Sequence, residues 1–150
     1  SFEHQVIVTE LGYLFRNFIT KERGGCRVVV SPVDVQLDRD DYTMVQPDVV
    51  VLCDKNKVWD HHILGAPDLV IEVISASTKA KDTGIKLYKY KNAGVREYWI
   101  VDPKEERVIV YDFENEKESK VYTAEKEVPV GIYDGKLKID FKSIFENSWT

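Results

Sequence analysis

The chain has 150 residues, of which 43% are hydrophobic, 11% aromatic and 31% charged, a globular composition with enough apolar residues for a core that needs no metal or disulfide staple. Its net charge of −5 argues against a surface that grips nucleic acid over its whole area. No apolar run approaches the roughly 20 residues that cross a bilayer, so one membrane-free domain over residues 1–150 is expected, in the cytoplasm.

Ile7, Leu11, Leu14, Phe15 and Phe18 recur at helical spacing, so residues 4 to 20 read as an amphipathic helix that stops at Arg23-Gly24-Gly25. Cys26 to Val30 reads as a strand. After Ser31-Pro32, Val33, Val35 and Leu37 alternate with Asp34, Gln36 and Asp38, the pattern of a half-buried strand with one polar face. A polar turn over 38–43 leads to Pro47-Asp48 and the apolar run Val49 to Cys53, which suits a strand covered on both faces. Together these strands predict a meander, followed by a loop over 54–66. Cys26 and Cys53 lie in apolar runs with no C-x-x-C pair and read as reduced core residues of a cytosolic protein.

A strand over 68–74 follows. Ser75-Ala76-Ser77-Thr78 then offers hydroxyl caps to a helix running to Asn92, with Gly94 as its stop. Glu97 to Val101 is another strand, Asp102-Pro103 a turn, and Val108 to Phe113 its hairpin partner. Short strands over 119–124 and 127–132 and a helix from Asp140 complete the chain. There is no repeat and no linker. The order of elements predicts an α/β (α+β) domain with a mixed central sheet flanked by helices. The chain begins at Ser1 rather than methionine, without a signal-peptide pattern, so an N-terminal segment of a longer protein is expected ahead of it.

Glu72 stands inside the run Leu69-Val70-Ile71-Glu72-Val73-Ile74. A charge there must point outward, be paired, or bind something. Asp68 shares its strand face but lies about 13 Å away at about 3.3 Å per residue, too far to share a metal ion. Asp48 heads a separate apolar strand that could lie beside this one, and the sequence permits that pairing without fixing its register. On the following helix Asp82, Lys86 and Tyr90 fall at i, i+4 and i+8, on one face. Asp, Glu and Lys together suit metal-dependent phosphodiester hydrolysis. Carboxylates hold a hard cation, the cation makes hydroxide from water, and an ammonium places that water or offsets developing charge.

These residues carry a resemblance. Pro47-Asp48, Glu72-Val73-Ile74-Ser75 and Asp82-x3-Lys86-x3-Tyr90-x3-Gly94-Val95-x-Glu97-Tyr98-Trp99-x2-Asp102-Pro103 resemble the Uma-two family of "putative restriction endonucleases", a bacterial branch of the PD-(D/E)XK nuclease superfamily. The resemblance covers nearly the whole chain and is densest over 67–103. It implies a restriction-endonuclease-like fold, Mg²⁺ or Mn²⁺ as cofactor, DNA as substrate and a homodimer. It makes Asp48 and Glu72 the metal carboxylates, the backbone carbonyl of Val73 a further ligand, and Lys86 the catalytic lysine. The superfamily usually places its lysine two residues after the glutamate. Ile74 stands there in this chain, so the role passes to Lys86 on the helix.

Several readings stay open beside it. Glu72 could instead form a buried ion pair with Lys86, Asp48 could cap a turn, and Lys86 could pair with Asp82 on a solvated helix. Asp34, on the polar face of its strand, could support the site from behind its ligands or simply be solvated, and solvated is the expectation. His4 and Glu10, on the first helix, could lend a proton or hold a water. Asp60-His61-His62 lacks the spacing of a zinc site and reads as a solvated loop. Tyr98-Trp99 reads as core or subunit interface rather than a base-stacking platform. Residues 79–91 hold five lysines against Asp82, or plus four, whereas residues 96–127 hold six basic and ten acidic side chains, or minus four. Lys79, Lys81 and Lys89 are therefore the candidate contacts to a DNA backbone. The rival functions are a catalytically silent nucleic-acid- or protein-binding module on the same fold, and another hydrolase that reuses it.

Overall fold

A computed structural model describes residues 1–38, 44–75 and 81–149, and the side chains of all of these except 81–83. Helix α1 spans Phe2–Lys21, two residues longer at its start than its apolar periodicity predicts. The Ser1 hydroxyl accepts the His4 amide, Glu3 sits in the first turn and Lys21 in the last, which satisfies an orphan donor and complements the helix dipole. At the other end the amides of Arg23 and Gly24 return to the carbonyls of Thr20 and Ile19, a Schellman closure. Ile7, Val8, Leu11, Phe15 and Ile19 form its buried stripe.

Strands β1 (Arg27–Val30), β2 (Val35–Gln36), β3 (Met44–Val45), β4 (Val49–Leu52), β5 (Val58–Trp59), β6 (His62–Leu64) and β7 (Leu69–Val73) follow. Helix α2 covers Lys81–Ala93, and β8 (Glu97–Asp102), β9 (Arg107–Asp112), β10 (Lys120–Thr123), β11 (Val128–Pro129), β12 (Lys138–Ile139) and α3 (Phe141–Glu146) complete the order. Among the described residues the main sheet has six strands in the order β1-β4-β7-β8-β9-β10. It is mixed: β7 and β8 are parallel, joined through α2, and the other neighbours are antiparallel. The domain is thus α+β with a mixed central sheet, as expected.

Both faces are covered. On one, α1 and α3 pack on Val49, Val51, Leu69, Ile71, Val73 and Trp99. Trp99, fully buried, meets both Phe15 and Phe141, so replacing it by alanine is expected to cost about 3–5 kcal/mol. The approach of α1 to the sheet is close enough that a Cβ on Gly12 would sit 2.9 Å from Val30 Cγ1, which requires glycine there. On the other face α2 and a small sheet, β3-β2-β6-β5, cover Val50, Leu52, Val70, Tyr98 and Ile100.

The structure corrects five local expectations. The early strands do not form a meander: β1 pairs with β4, and β2 belongs to the small sheet. After Ser31, whose amide still bonds to Asp48, the chain reaches Pro32, which has no amide hydrogen to continue the ladder. Secondly, β2 has no polar face. Val35, Gln36 and Leu37 are all buried, because β2 lies between β3 and β6 and against the main sheet. Thirdly, 54–66 is a 3-10 turn over Lys55–Lys57 and a β5–β6 hairpin rather than a loop. Asp60 and His61 both take positive φ (47° and 71°), the form of a two-residue hairpin turn usually signalled by Asn-Gly. Fourthly, Cys26 and Cys53 are disulfide-bonded rather than reduced. The β1–β4 register puts Arg27 opposite Leu52, so residues 26 and 53 face each other one step further, with Cα atoms 4.0 Å apart. Near the C-terminus the expected strand over 127–132 is only Val128–Pro129, followed by a 3-10 turn over Gly131–Tyr133. The expected helix caps at 76–78, and most of the expected turn at 38–43, fall outside the described residues.

Candidate active site

The site lies at the end of the sheet where β4 begins and β7 stops. The β4–β7 ladder pairs Val49 with Ile71 and Val50 with Val70. Continued by one residue it sets Asp48 against Glu72, and directly opposed residues of an antiparallel pair project to the same face. This is the register that the sequence left open. The two carboxylates are therefore neighbours, and the Asp48 charge acts on Glu72.

Each carboxylate has further partners. Asp48 Oδ2 accepts the Val73 amide at 2.7 Å and faces His4 Nε2, from the first turn of α1, at 3.2 Å. Glu72 Oε1 accepts the Tyr90 hydroxyl at 2.8 Å, and Lys86 Nζ stands 3.7 Å from Glu72 Oε2. That last distance is too long for a hydrogen bond, so Lys86 acts on Glu72 by charge alone. Lys86 and Tyr90 are four apart, as their shared helix face predicts. The Glu72 side chain is 8% exposed and Asp48 16%, while His4 and Lys86 are 20% and 36% exposed, so the group opens to solvent on its histidine and lysine sides.

Burial pushes the Glu72 carboxyl up to about 7, against the pull of the Lys86 ammonium; the Asp48 charge raises it further, and the Tyr90 hydroxyl lowers it. Burial, and then the Glu72 charge, push Tyr90 far above the ordinary phenol range, so it remains a donor at any working pH. The ion pair and the carboxylate pair are therefore present together. What raises Glu72 is burial, and the Lys86 ammonium at 3.7 Å opposes it more strongly than the Asp48 charge adds to it.

The other residues singled out from the sequence are placed as follows. Asp34 is exposed and accepts from Gln46 Nε2 at 2.7 Å. Glu10 is exposed on α1, about 120° round the helix from His4 at 100° per residue, and is not gathered with the carboxylates. Asp82 and Lys81 lie on α2 but their side chains are outside the description, as is Lys79 altogether. Lys89 is exposed on α2. Asp68 accepts the Cys53 amide and pairs with Arg96, a structural role away from Glu72. His62 bonds to Gln36 rather than joining a metal cluster. Tyr98 and Trp99 are core, but the Tyr98 hydroxyl is buried without a partner among the described residues.

Sequence reasoning passed over a buried carboxylate that braces the fold. Glu97, the first residue of β8, is 2% exposed and accepts from Trp99 Nε1 and from the amides of Gly131 and Ile132 at 3.3 and 2.9 Å. A Cβ on Gly131 would lie 2.7 Å from Glu97 Oε1, so this clamp on the 3-10 turn needs glycine. The signal was there: Glu97 heads an apolar run, Tyr-Trp-Ile-Val, much as Asp48 heads its own.

The fold and this end of the sheet place the chain among nuclease-like α+β domains. The crystal structure of a "putative nuclease belonging to DUF820" from Anabaena variabilis superposes on 96% of this chain and 80% of its own, with a TM-score of 0.78 and 22% identity, which shows a common fold. The sequence matches the Uma2 family, described as "putative restriction endonuclease", over residues 1–132, and the chain belongs to that family. An uncharacterised protein of Synechocystis sp., slr1290, is 33% identical over 113 residues, which are 74% of this chain and 57% of that protein. The chain thus spans little more than half the length of this curated relative.

Proposed function

We propose that the chain is a metal-dependent endonuclease that hydrolyses phosphodiesters in DNA, with Asp48 and Glu72 as carboxylate ligands and Lys86 as the catalytic ammonium. The observation that carries this reading is the meeting of two carboxylates, from different strands, beside the amine of the next helix. A Mg²⁺ or Mn²⁺ ion fits the donor set. Hard oxygen donors suit such ions, which are usually held by one or two carboxylates and keep several waters. Burial holds the Glu72 carboxyl above its ordinary range, and a cation bound beside it would favour the ionised form. Among the described residues no group of three His, Cys, Asp or Glu side chains is arranged to hold an ion, so the proposal rests on the two carboxylates, with the Val73 carbonyl as the further ligand that the family resemblance implies.

When bound, the cation supplies a water of lowered pKa and a counter-charge for the phosphate. The chain's own groups do the rest. Tyr90 fixes the orientation of Glu72, and the Val73 amide fixes that of Asp48. Lys86, half-exposed at 3.7 Å from Glu72, is free to turn toward a phosphate oxygen or a water and to oppose charge that develops there. His4, beside Asp48, can hold or hand on a proton. Lys79, Lys81 and Lys89 on the same segment would neutralise backbone phosphates, and a homodimer would present two such sites to one duplex.

The test is cleavage of plasmid and of linear single- and double-stranded DNA with Mg²⁺ or Mn²⁺, for wild type, Asp48→Asn and Lys86→Ala. Wild type should cut and both variants should lose at least about a hundredfold in rate. DNA retained without cutting by wild type under every metal would select the silent binding module instead. Metal-dependent turnover of a substrate other than nucleic acid would select another hydrolase.

A further inference from the structure

At the far end of α1 from Asp48, three arginines border one hollow of about 330 Å³: Arg16 on the last turns of the helix, Arg23 just beyond it, and Arg27 at the start of β1. Thr20 and the backbone around Gly24 and Cys26 complete its wall. Arg16 and Thr20 stand at i and i+4 on one side of the helix, Arg23 follows the helix cap, and the Arg27 guanidinium is braced by donating to the Cys26 carbonyl at 2.9 Å. None of the three arginines forms an ion pair with a carboxylate among the described residues, in a chain whose net charge is −5.

Two further features favour a ligand over a merely solvated cluster. Three of the carbonyls that end α1 and would repel an anion, those of Phe18, Ile19 and Thr20, are already engaged by the amides of Glu22, Gly24 and Arg23. Arg23 also takes a left-handed backbone, φ 51°, at the position after the helix cap where glycine is least costly, although Gly24 stands next to it. A side chain in a strained position is a pointer to function. Arginines that border one hollow from two elements suit the planar, multi-oxygen geometry of a phosphoryl group, which guanidinium groups can hold through paired hydrogen bonds.

We infer that Arg16, Arg23 and Arg27 form a phosphate-binding site separate from the candidate active site. From His4 to Arg16 is 12 residues of helix, about 18 Å at about 1.5 Å each, so the two sites cannot hold the same phosphate. The hollow would take either a free phosphate or one phosphate of a nucleic-acid backbone bound elsewhere. This assignment does not depend on cleavage.

The experiment is a pair of titrations in EDTA, with inorganic phosphate and with a short DNA duplex, on wild type, Arg16→Glu, Arg27→Glu and Arg27→Lys. It is followed by the arginine side-chain N–H signals in NMR and by calorimetry. Wild type should show phosphate-dependent shifts of the arginine signals, and each charge reversal should weaken binding of phosphate, duplex or both by about tenfold or more. Arg27→Lys should restore only part, whereas a simple dipole-compensating role would be fully restored by lysine. Weakened duplex binding, with a salt slope shallower by about 0.9 for each phosphate no longer neutralised, would assign the phosphate to nucleic acid; weakened phosphate binding with an unchanged duplex would assign it to the free anion. Glu72→Gln, run alongside, should bind phosphate like wild type, which separates this site from the catalytic proposal. Equal binding of both probes by wild type and the charge-reversed variants, with unchanged melting temperatures showing that all are folded, would overturn the inference.

Discussion

Two buried glutamates on neighbouring parallel strands, Glu72 of β7 and Glu97 of β8, are exposed by 6% and 2% and differ in almost everything else. Glu97 accepts from three neutral donors, an indole and two amides, and faces no cation at close range among the described residues. Burial raises its carboxyl, and those donors pull it back. Glu72 accepts one hydroxyl, feels one ammonium at a distance, and is set against a second carboxylate. Burial of an acid is therefore not the mark of a site. Glu97 is a brace whose acceptor capacity is met within the fold, while Glu72 stands between a half-exposed lysine and a second carboxylate, a grouping the fold does not need for its hydrogen bonds.

The largest expected effect comes from exchanging the roles of the two. Glu72→Gln should abolish cleavage, by at least about a hundredfold in a plasmid-nicking assay, with a melting temperature at or above that of wild type at pH 8. Glu97→Ala should do the reverse. It leaves an indole and two amides unsatisfied at about 1–3 kcal/mol each, so denaturant unfolding should show a loss of several kcal/mol while cleavage per folded molecule is kept. If Glu97→Ala removed activity without loss of stability, the distinction between brace and site would fail.

The pH dependence of stability sharpens the same contrast. Glu72 has a folded-state pKa of about 7 against an ordinary 4.5. Below pH 4.5 both folded and unfolded chains hold this proton. Between the two values the folded chain holds a proton that the unfolded chain releases, so the contribution of this group is lost as pH rises through about 7. The loss is roughly 3 kcal/mol, from about 1.36 kcal/mol for each pH step between the two pKa values. Denaturant melts of metal-free wild type should show this decline, and Glu72→Gln should remove it. Added Mg²⁺ should stabilise wild type more at pH 8 than at pH 5.5, because only the ionised pair attracts it.

A smaller effect is expected at Tyr98, whose ring packs on Tyr90 while its hydroxyl is buried without a partner among the described residues. Tyr98→Phe should be neutral or stabilising by up to about 1 kcal/mol in thermal melts. Tyr90→Phe should differ from it. Loss of the hydrogen bond that lowers Glu72 should raise the Glu72 carboxyl further, read by the side-chain carbon shifts in NMR.

Much of the main sheet and of the site was legible in the sequence. The apolar runs at 49–53 and 68–74 and the helical periodicity of α1 are local patterns, and each element formed close to its expected limits, as did the end of α2. Glu72 was conspicuous because a lone acid in an apolar strand must be accounted for wherever the strand lies. His4 and Tyr90 were marked by position alone, and both touch the carboxylates.

What the sequence by itself determined was which segments are strands and helices, and which acidic side chains would be costly to bury. Tertiary structure decided the partners. Several valine-rich strands have similar affinity for one another, so local pattern could not choose β4 over β2 as neighbour of β1, nor set Asp48 opposite Glu72 instead of one residue aside. The same choice of neighbour brought Cys26 to Cys53, and the way α1 closes on β1 brought Arg16 and Arg23 to Arg27. Contacts between residues far apart in the chain depend on which faces bury together, a property of the assembled layers that no single segment carries.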